Sequence, residues 1–419
     1  MEPQLSNSTR LAQNLLYNRG RGGRARPAPV VVLLGPSGAG KTHALRTLSR
    51  DCGAGVVHAF FDFARTRTPE AEQRAPATVE VLAQLAFWLS RKWRARRRVR
   101  FTRFTLGMIA VETPLDGLTH EQAEQKLRDA IRIFAQRPRA ADIGNRIVGP
   151  LADVMSQTDL VRDSIAETIR TVLPDLVGAA TRRRLGRAMR FHAEFDDAEG
   201  ANPVDALIRL SALGTKEMTD WLTDAFLADV QASYPRTAKP DLHNPCTCVA
   251  PESPDHLHNW VLLLDNVDHP AGGTFLSDFL AARERHLRRE PDDHDPLLLV
   301  TTSGRWDRAW SSDWRPPWQA APNHNKRART VPACHDGSHQ HWLNGQTSPR
   351  SWLYPVLLAP LTIDETAQML RVTRHDPVCQ LAHRASGGLP AAVEVIAPLV
   401  RDPKPAPGAR DALSASEAG

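Results

Sequence analysis

Residues Gly35-Pro36-Ser37-Gly38-Ala39-Gly40-Lys41-Thr42 bring together the groups that bind phosphate. Glycines at 35, 38 and 40 let the backbone wrap so that its N–H groups converge on phosphate oxygens. A helix beginning at Lys41 adds the positive end of its dipole. Lys41 supplies a cation for the outer phosphates and Thr42 a hydroxyl suited to Mg²⁺. Both need a buried strand before the loop and a helix after it. Val30 to Leu34 is an unbroken apolar run, the pattern of a central parallel strand, and Lys41 to Arg50 reads as a helix stopped by Gly53.

A phosphate cradle of this kind needs an acid at the carboxyl end of a neighbouring strand to hold a metal ion. "WVLLLDNVD" (260 to 268) supplies it. Its apolar residues drive the strand into the core, Asp265 emerges at the edge where open α/β sheets bind ligands, and Asp268 follows. Asn266, between them, cannot take a proton, so activation of an attacking water falls to Asp268, to a residue elsewhere, or to nothing. The next strand, "DPLLLVTTSGR" (295 to 305), ends in Thr302 and Ser303, either of which can bond the water or an outer phosphate. Arg305 closes it as a cation that can sense the γ-phosphate.

These groups are positioned by an interrupted α/β pattern. A strand over 56 to 64 and a helix over 78 to 93, capped by Thr78, follow the cradle. From about 112 to 240 the chain reads as amphipathic helix, with Thr119 and Gln122 at capping-box spacing and Asn202 before Pro203 at a helix start. The strands resume at 260, and the last, 352 to 361, contains Pro355 and so belongs on a sheet edge. Thr362 and Glu365 open a further helix, and another begins near "GGLPAAVEVIAPLV" (387 to 400). The expected architecture is an α/β P-loop NTPase fold, a parallel sheet of order 5-1-4-3-2 flanked by helices, with a large all-helical insertion and a small helical lid. Its expected divisions are a polar and basic arm (1–26), with one short amphipathic turn over Leu11 to Leu16, a first part of the sheet domain (27–111), the insertion (112–240), a second part (241–360), the lid (361–400) and a tail (401–419).

Composition narrows the function classes. Lys and Arg total 53 against 47 Asp and Glu, a net charge of +6 that is mild for 419 residues. Much of the excess sits in runs at 19 to 26, 91 to 103 and 181 to 187, read as solvated helix ends or arms more readily than as a nucleic-acid groove. Five scattered cysteines argue against a disulfide framework, and no apolar run approaches the roughly 20 residues of a membrane span. With no signal pattern at the N-terminus, a cytoplasmic protein is expected. His243, Cys246, Cys248, His256, His258, Cys334, His335, His339 and His341 are borderline-soft metal ligands, but without a C-x-x-C pair they do not predict zinc.

Taken in order, "GPSGAGKT", "LLLDNVDH", "LLLVTTSGR", "APLTIDETAQML" and "ASGGLP" resemble the ATPase core of the STAND class, signal-transduction ATPases related to AAA+ proteins. The resemblance covers about 27 to 112 and 256 to 400. It implies ATP and Mg²⁺ as ligands, Asp265 with Thr42 on the metal, Asp268 in the second acidic place, Arg305 as sensor, and Pro390, in a turn of the lid, as a contact to the nucleotide base. It also implies slow hydrolysis driving a signalling or assembly switch, with further copies of the chain or a separate sensor or effector protein as partner. Two departures stand out. Gly304 separates Ser303 from Arg305, and the winged-helix and repeat domains usual after such a core are not evident, so sensing falls to the insertion or to another protein. The alternatives are a DNA-associated AAA+ ATPase and a nucleotide-binding scaffold without turnover.

Overall fold

Apolar runs without polar alternation leave no face for water, and the structure, a computed structural model, buries them in one sheet. Strands β1 (Val30–Leu34), β2 (His58–Asp62), β3 (Trp260–Asp265), β4 (Leu297–Ser303) and β5 (Leu353–Leu357) are parallel and lie in the order β2-β3-β4-β1-β5. The structure describes residues 11–12, 15, 17–18, 28–53, 55–65, 77–91, 93, 99–136, 179–195, 202–237, 257–290, 295–316, 318–319, 328–344 and 352–401. Every residue of the three inner strands β3, β4 and β1 is buried. The edge strand β2 alternates buried and half-buried positions, as a strand with one wetter face must. On the opposite edge, β5 bonds to β1 through the Trp352 carbonyl and the Leu358 N–H, and the two-residue period turns the Pro355 nitrogen away from β1. Proline there costs no bond to β1.

Helix α1 (Lys41–Cys52) packs across β3 and β4, and α2 (Ala77–Leu89) packs on β2. Because α2 already begins at Ala77, Thr78 is not its cap; its hydroxyl instead donates to Asp278 at 2.8 Å. The helical block consists of α3 (Thr102–Glu112), α4 (His120–Gln136), α5 (Ala179–Phe195), α6 (Pro203–Ala212) and α7 (Thr215–Thr237). It starts ahead of residue 112, and α3 is central to it, packing against α4, α5, α6 and α7. The Thr119–Gln122 capping box and the Asn202 cap both form. Helix α8 (Pro270–Arg289) joins block to sheet by packing on both α7 and α2. The Arg285 guanidinium on α8 grips the Asp224 carboxylate of α7 through two bonds of 3.1 and 3.2 Å. Block and sheet therefore share one apolar core. Leu11, Ala12 and Leu15 belong to that core, so the N-terminal segment read as a polar arm is anchored there. Its next residues, Tyr17–Asn18, pair antiparallel with Leu257–His258.

His192 and Asp229 are ionisable groups buried inside the block. His192 is buried, with Trp221 Nε1 donating to its Nδ1 at 3.0 Å and its Nε2 donating to the Arg103 carbonyl at 2.9 Å. Both ring nitrogens are used by the neutral form, and burial pushes the imidazole down to about 4. Asp229, also buried, accepts from the Phe104 N–H in the first turn of α3 and pairs with Arg103 at 3.1 Å. Burial pushes it up to about 7 against the pull of Arg103. The two titrate in opposite senses. His192 adds stability that is present above about pH 6.5 and lost as pH falls through about 4, on the order of 3 kcal/mol. Asp229 adds stability that is present below the ordinary carboxylate range and lost as pH rises through about 7. Urea midpoints across pH 4 to 7 should therefore fall less steeply on acidification in His192→Phe than in the wild type. Equal slopes would show that His192 does not titrate as described.

A short helix, α9 (His339–Leu343), precedes β5, and α10 (Ile363–Leu370), α11 (Pro377–Ser386) and α12 (Pro390–Arg401) follow it. The Thr362–Glu365 capping box starts α10. The last three helices pack on one another around a core of their own, Leu361, Ala367, Leu370, Cys379, Ala382, Val393 and Ala397. No helix among the described residues is long and apolar enough to cross a membrane.

Candidate functional site

The carboxyl ends of β1, β3 and β4 open onto one place, and the residues read as chemical collect there. The loop from Gly35 to Gly40 leaves β1 through a tight turn, Ala39 N–H to Pro36 carbonyl at 3.2 Å, and enters α1 at Lys41. Gly38 and Gly40 have φ of 80° and 85°, the left-handed region that side chains resist, so glycine is required at both. Pro36 and Ser37 are exposed, while Ala39, Lys41 and Thr42 are half-buried. The Lys41 Nζ donates to the Gly35 carbonyl at 2.7 Å and to the Pro36 carbonyl at 2.8 Å, which holds the ammonium inside the curve of the loop. Burial lowers its pKa from the ordinary lysine value, and Asp268 and then Asp265 oppose that shift.

Asp265 ends β3 and is fully buried. Its Oδ1 accepts from the Thr302 hydroxyl on β4, while its Oδ2 is buried with no hydrogen-bond partner among the described residues. An unpartnered carboxylate oxygen away from water costs about 1–3 kcal/mol or more. Asn266 follows with φ 59°, a left-handed conformation that asparagine tolerates, and its N–H donates to the Thr302 oxygen at 2.9 Å. Its side chain turns to the neighbouring strand, donating from Nδ2 to Asp62 Oδ1 at 2.8 Å. Asp268 is exposed. A β-carbon placed on Gly304 would lie 3.3 Å from Asp268 Oδ2 and 3.8 Å from Lys41 Nζ, so the residue after β4 is a gap between the second acid and the lysine.

The β4 end differs from its sequence reading. Thr302 is buried with its hydroxyl spent on Asp265, and the Ser303 hydroxyl donates to the Arg305 carbonyl at 2.6 Å and accepts from the Arg305 N–H. Neither hydroxyl faces an incoming water, because strand-end backbone and a buried acid claim them first. Arg305 itself is exposed beyond the turn. The C-terminal helices, read from sequence as a lid, contact the loop. Gly388 has φ 73°, and the turn through Leu389 brings the first residues of α12 onto the cradle, where the Ala391 N–H donates to the Gly38 carbonyl at 3.1 Å. A β-carbon on Gly38 would sit 2.8 Å from Ala391 Cβ, so loop and lid are in contact there, with Pro390 at the start of the helix.

Two residues were missed as site residues from sequence, Asp62 and, as a gap, Gly304; Gly38 was read as part of the cradle, without its contact to Ala391. Only the first had a signal, an acid ending the strand "HAFFD".

Among the described residues, the histidine and cysteine loops show no second site. His243, Cys246, Cys248 and His256 lie outside the described residues, as does the basic run at 19 to 26. His341 bonds through Nδ1 to the Tyr354 hydroxyl at 3.0 Å, and no group of three or more His, Cys, Asp or Glu among the described residues is placed to hold a metal ion. Cys52, Cys334 and Cys379 are buried thiols that form no disulfide with one another, the first two pushed up to about 12 by burial.

No family model matches the chain, and no curated protein and no solved structure gives a significant match.

Proposed function

We propose that the chain is a P-loop ATPase of the STAND/AAA+ type that binds ATP with Mg²⁺ and works as a nucleotide-dependent switch with slow hydrolysis. One juxtaposition carries this reading: a lysine ammonium held inside a glycine loop, next to a buried carboxylate with one oxygen unpartnered. The strand order supports it as well, since from the β5 edge the strands run β5-β1-β4-β3-β2.

The residues present fit the ligands. The N–H groups from Gly38 to Thr42 and the start of α1 suit the phosphates, and Lys41 exchanges two carbonyl partners for phosphate oxygens. Asp265 Oδ2 and the Thr42 hydroxyl suit Mg²⁺, which takes few protein ligands when it rides on a nucleotide. The cation would neutralise charge developing on the transferred phosphoryl group. Arg305 would sense the γ-phosphate and Pro390 would border the base. The contact between Ala391 and Gly38 lets the state of the cradle reach the lid, a coupling that needs different contacts in the two nucleotide states. ATP is preferred to GTP because no separate N/T-K-x-D element is present. The partner is a further copy of the chain or a separate sensor protein.

Asn266 favours a second reading, a scaffold that binds ATP without turning it over, because its amide bonds Asp62 and cannot take a proton. ATP turnover and size-exclusion mass, each with and without duplex DNA, separate the readings. The expected result is slow Mg²⁺-dependent turnover, unaffected by DNA, with a mass that differs between ATP and ADP. Turnover stimulated by DNA, with steep salt dependence, would instead support a DNA-associated ATPase. Intact ATP binding with no turnover would support the scaffold.

A further inference from the structure

Among the described residues the sequence places no fixed base directly beside Asp265, where Asn266 stands, and the fold brings an acid from another strand. Asp62 ends β2 directly in register with Asp265 at the end of β3, so the two carboxylates leave adjacent strands at the same level of the sheet. Strand spacing puts their backbones about 4.8 Å apart. Asn266 joins them: its left-handed backbone keeps its N–H on Thr302, which holds Asp265, while its side-chain amide reaches back to Asp62 Oδ1. The Ala64 N–H donates to the same Asp62 oxygen at 3.0 Å. Oδ2 pairs with Arg65 Nε at 3.2 Å, but the Arg65 side chain is 76% exposed and such a pair is weak. Asp62 is thus an acid fixed by two neutral donors at the rim of the site, with one oxygen free to exchange a surface partner. Asp268, by contrast, is exposed and sits across Gly304 from Lys41, on the side where the lysine charge draws it.

We propose that Asp62 is the catalytic base of this site, with Asn266 as the residue that positions it. The inference rests on reading the site as an ATP hydrolase. In the step, a water oxygen bonds to the γ-phosphorus while the bond from that phosphorus to the β,γ-bridging oxygen breaks. ADP leaves with the electron pair, the water proton passes to the Asp62 carboxylate, and it is released to solvent with inorganic phosphate. Asparagine at 266 then has a purpose that glutamate would not serve, since its amide donates to an acid that a second carboxylate would repel.

The test compares kcat and ATP affinity in the full chain for wild type, Asp62→Asn, Asp62→Glu, Asn266→Ala and Asp268→Asn. Asp62→Asn should lower kcat by at least about 100-fold, the usual range for a lost general base, with ATP affinity within about threefold. Retained ATP binding also reports that the variant folds. Asp62→Glu should recover part of the rate, and Asn266→Ala should lower kcat about tenfold without changing ATP affinity. Asp268→Asn should lower kcat less than Asp62→Asn does. A wild-type kcat retained within threefold by Asp62→Asn overturns the inference, as does loss of turnover in Asp268→Asn alone. Wild type that binds ATP without turning it over overturns it too. Wild type that fails to bind ATP overturns the underlying reading of the site, a distinct result.

Discussion

Lys41→Ala should lose ATP binding by at least about 100-fold while the unliganded protein stays folded. Charge-assisted bonds contribute about 1.5–3 kcal/mol each, and the Lys41 ammonium already makes two bonds of that geometry, to the Gly35 and Pro36 carbonyls. Trading those carbonyls for anionic oxygens strengthens both bonds, and a loss of about 3 kcal/mol corresponds to more than 100-fold in affinity. The unliganded protein has less at stake, because the side chain is half-buried and the freed carbonyls sit beside exposed Pro36. Thermal melts read both consequences at once. ATP at 100 times its dissociation constant stabilises a one-site protein by about 2.7 kcal/mol. Wild type should show a matching rise in melting temperature and Lys41→Ala a rise from at most about 0.4 kcal/mol, with the two unliganded melts close together. An equal rise in both would place ATP somewhere other than the loop.

The second large effect is expected at Asp265, where function and stability should move in opposite directions. Asp265→Asn keeps an oxygen to accept the Thr302 hydroxyl but removes a fully buried charge whose second oxygen has no partner. Burying a carboxylate with one oxygen unbonded is costly even with the Lys41 charge nearby, and a neutral amide of the same shape relieves part of that cost. The unliganded variant should therefore be as stable as wild type in urea, or more stable by about 1 kcal/mol, while Mg²⁺-dependent turnover falls at least about 100-fold. Asp265→Ala is the contrast. It leaves the buried Thr302 hydroxyl without its acceptor and should cost about 1–3 kcal/mol of stability. If Asp265→Asn destabilised the unliganded protein as much as Asp265→Ala, the carboxylate would be a structural bond and not a site held ready for a cation.

The parts of this site that were legible in the sequence are those whose chemistry is local. Glycines that need positive φ, a lysine and threonine at the start of a helix, and an acid closing an apolar strand all announce themselves within about ten residues. The same holds for the capping boxes at Thr119 and Thr362, where a side chain and a backbone N–H three residues apart satisfy each other. What was not legible depends on pairings across the fold. Thr78 looks like a cap until Asp278, 200 residues on, takes its hydroxyl. Thr302 and Ser303 looked free until their partners Asp265 and Arg305 were placed. Asp62 mattered only when the sheet set β2 in register beside β3. The turn at Leu11 to Leu16 was readable as amphipathic, but nothing nearby said that Leu11, Ala12 and Leu15 would meet the main core. Helix α3 was missed because nearly its whole surface is buried, which erases the polar face that marks an amphipathic helix.

Titration of the wild-type protein with ATP, in Mg²⁺ and again in excess chelator, asks whether the glycine loop and Asp265 together take a magnesium nucleotide. One ATP per chain is expected, bound more tightly by at least about tenfold when Mg²⁺ is present. No ATP binding up to millimolar concentration, or binding indifferent to Mg²⁺, would contradict it.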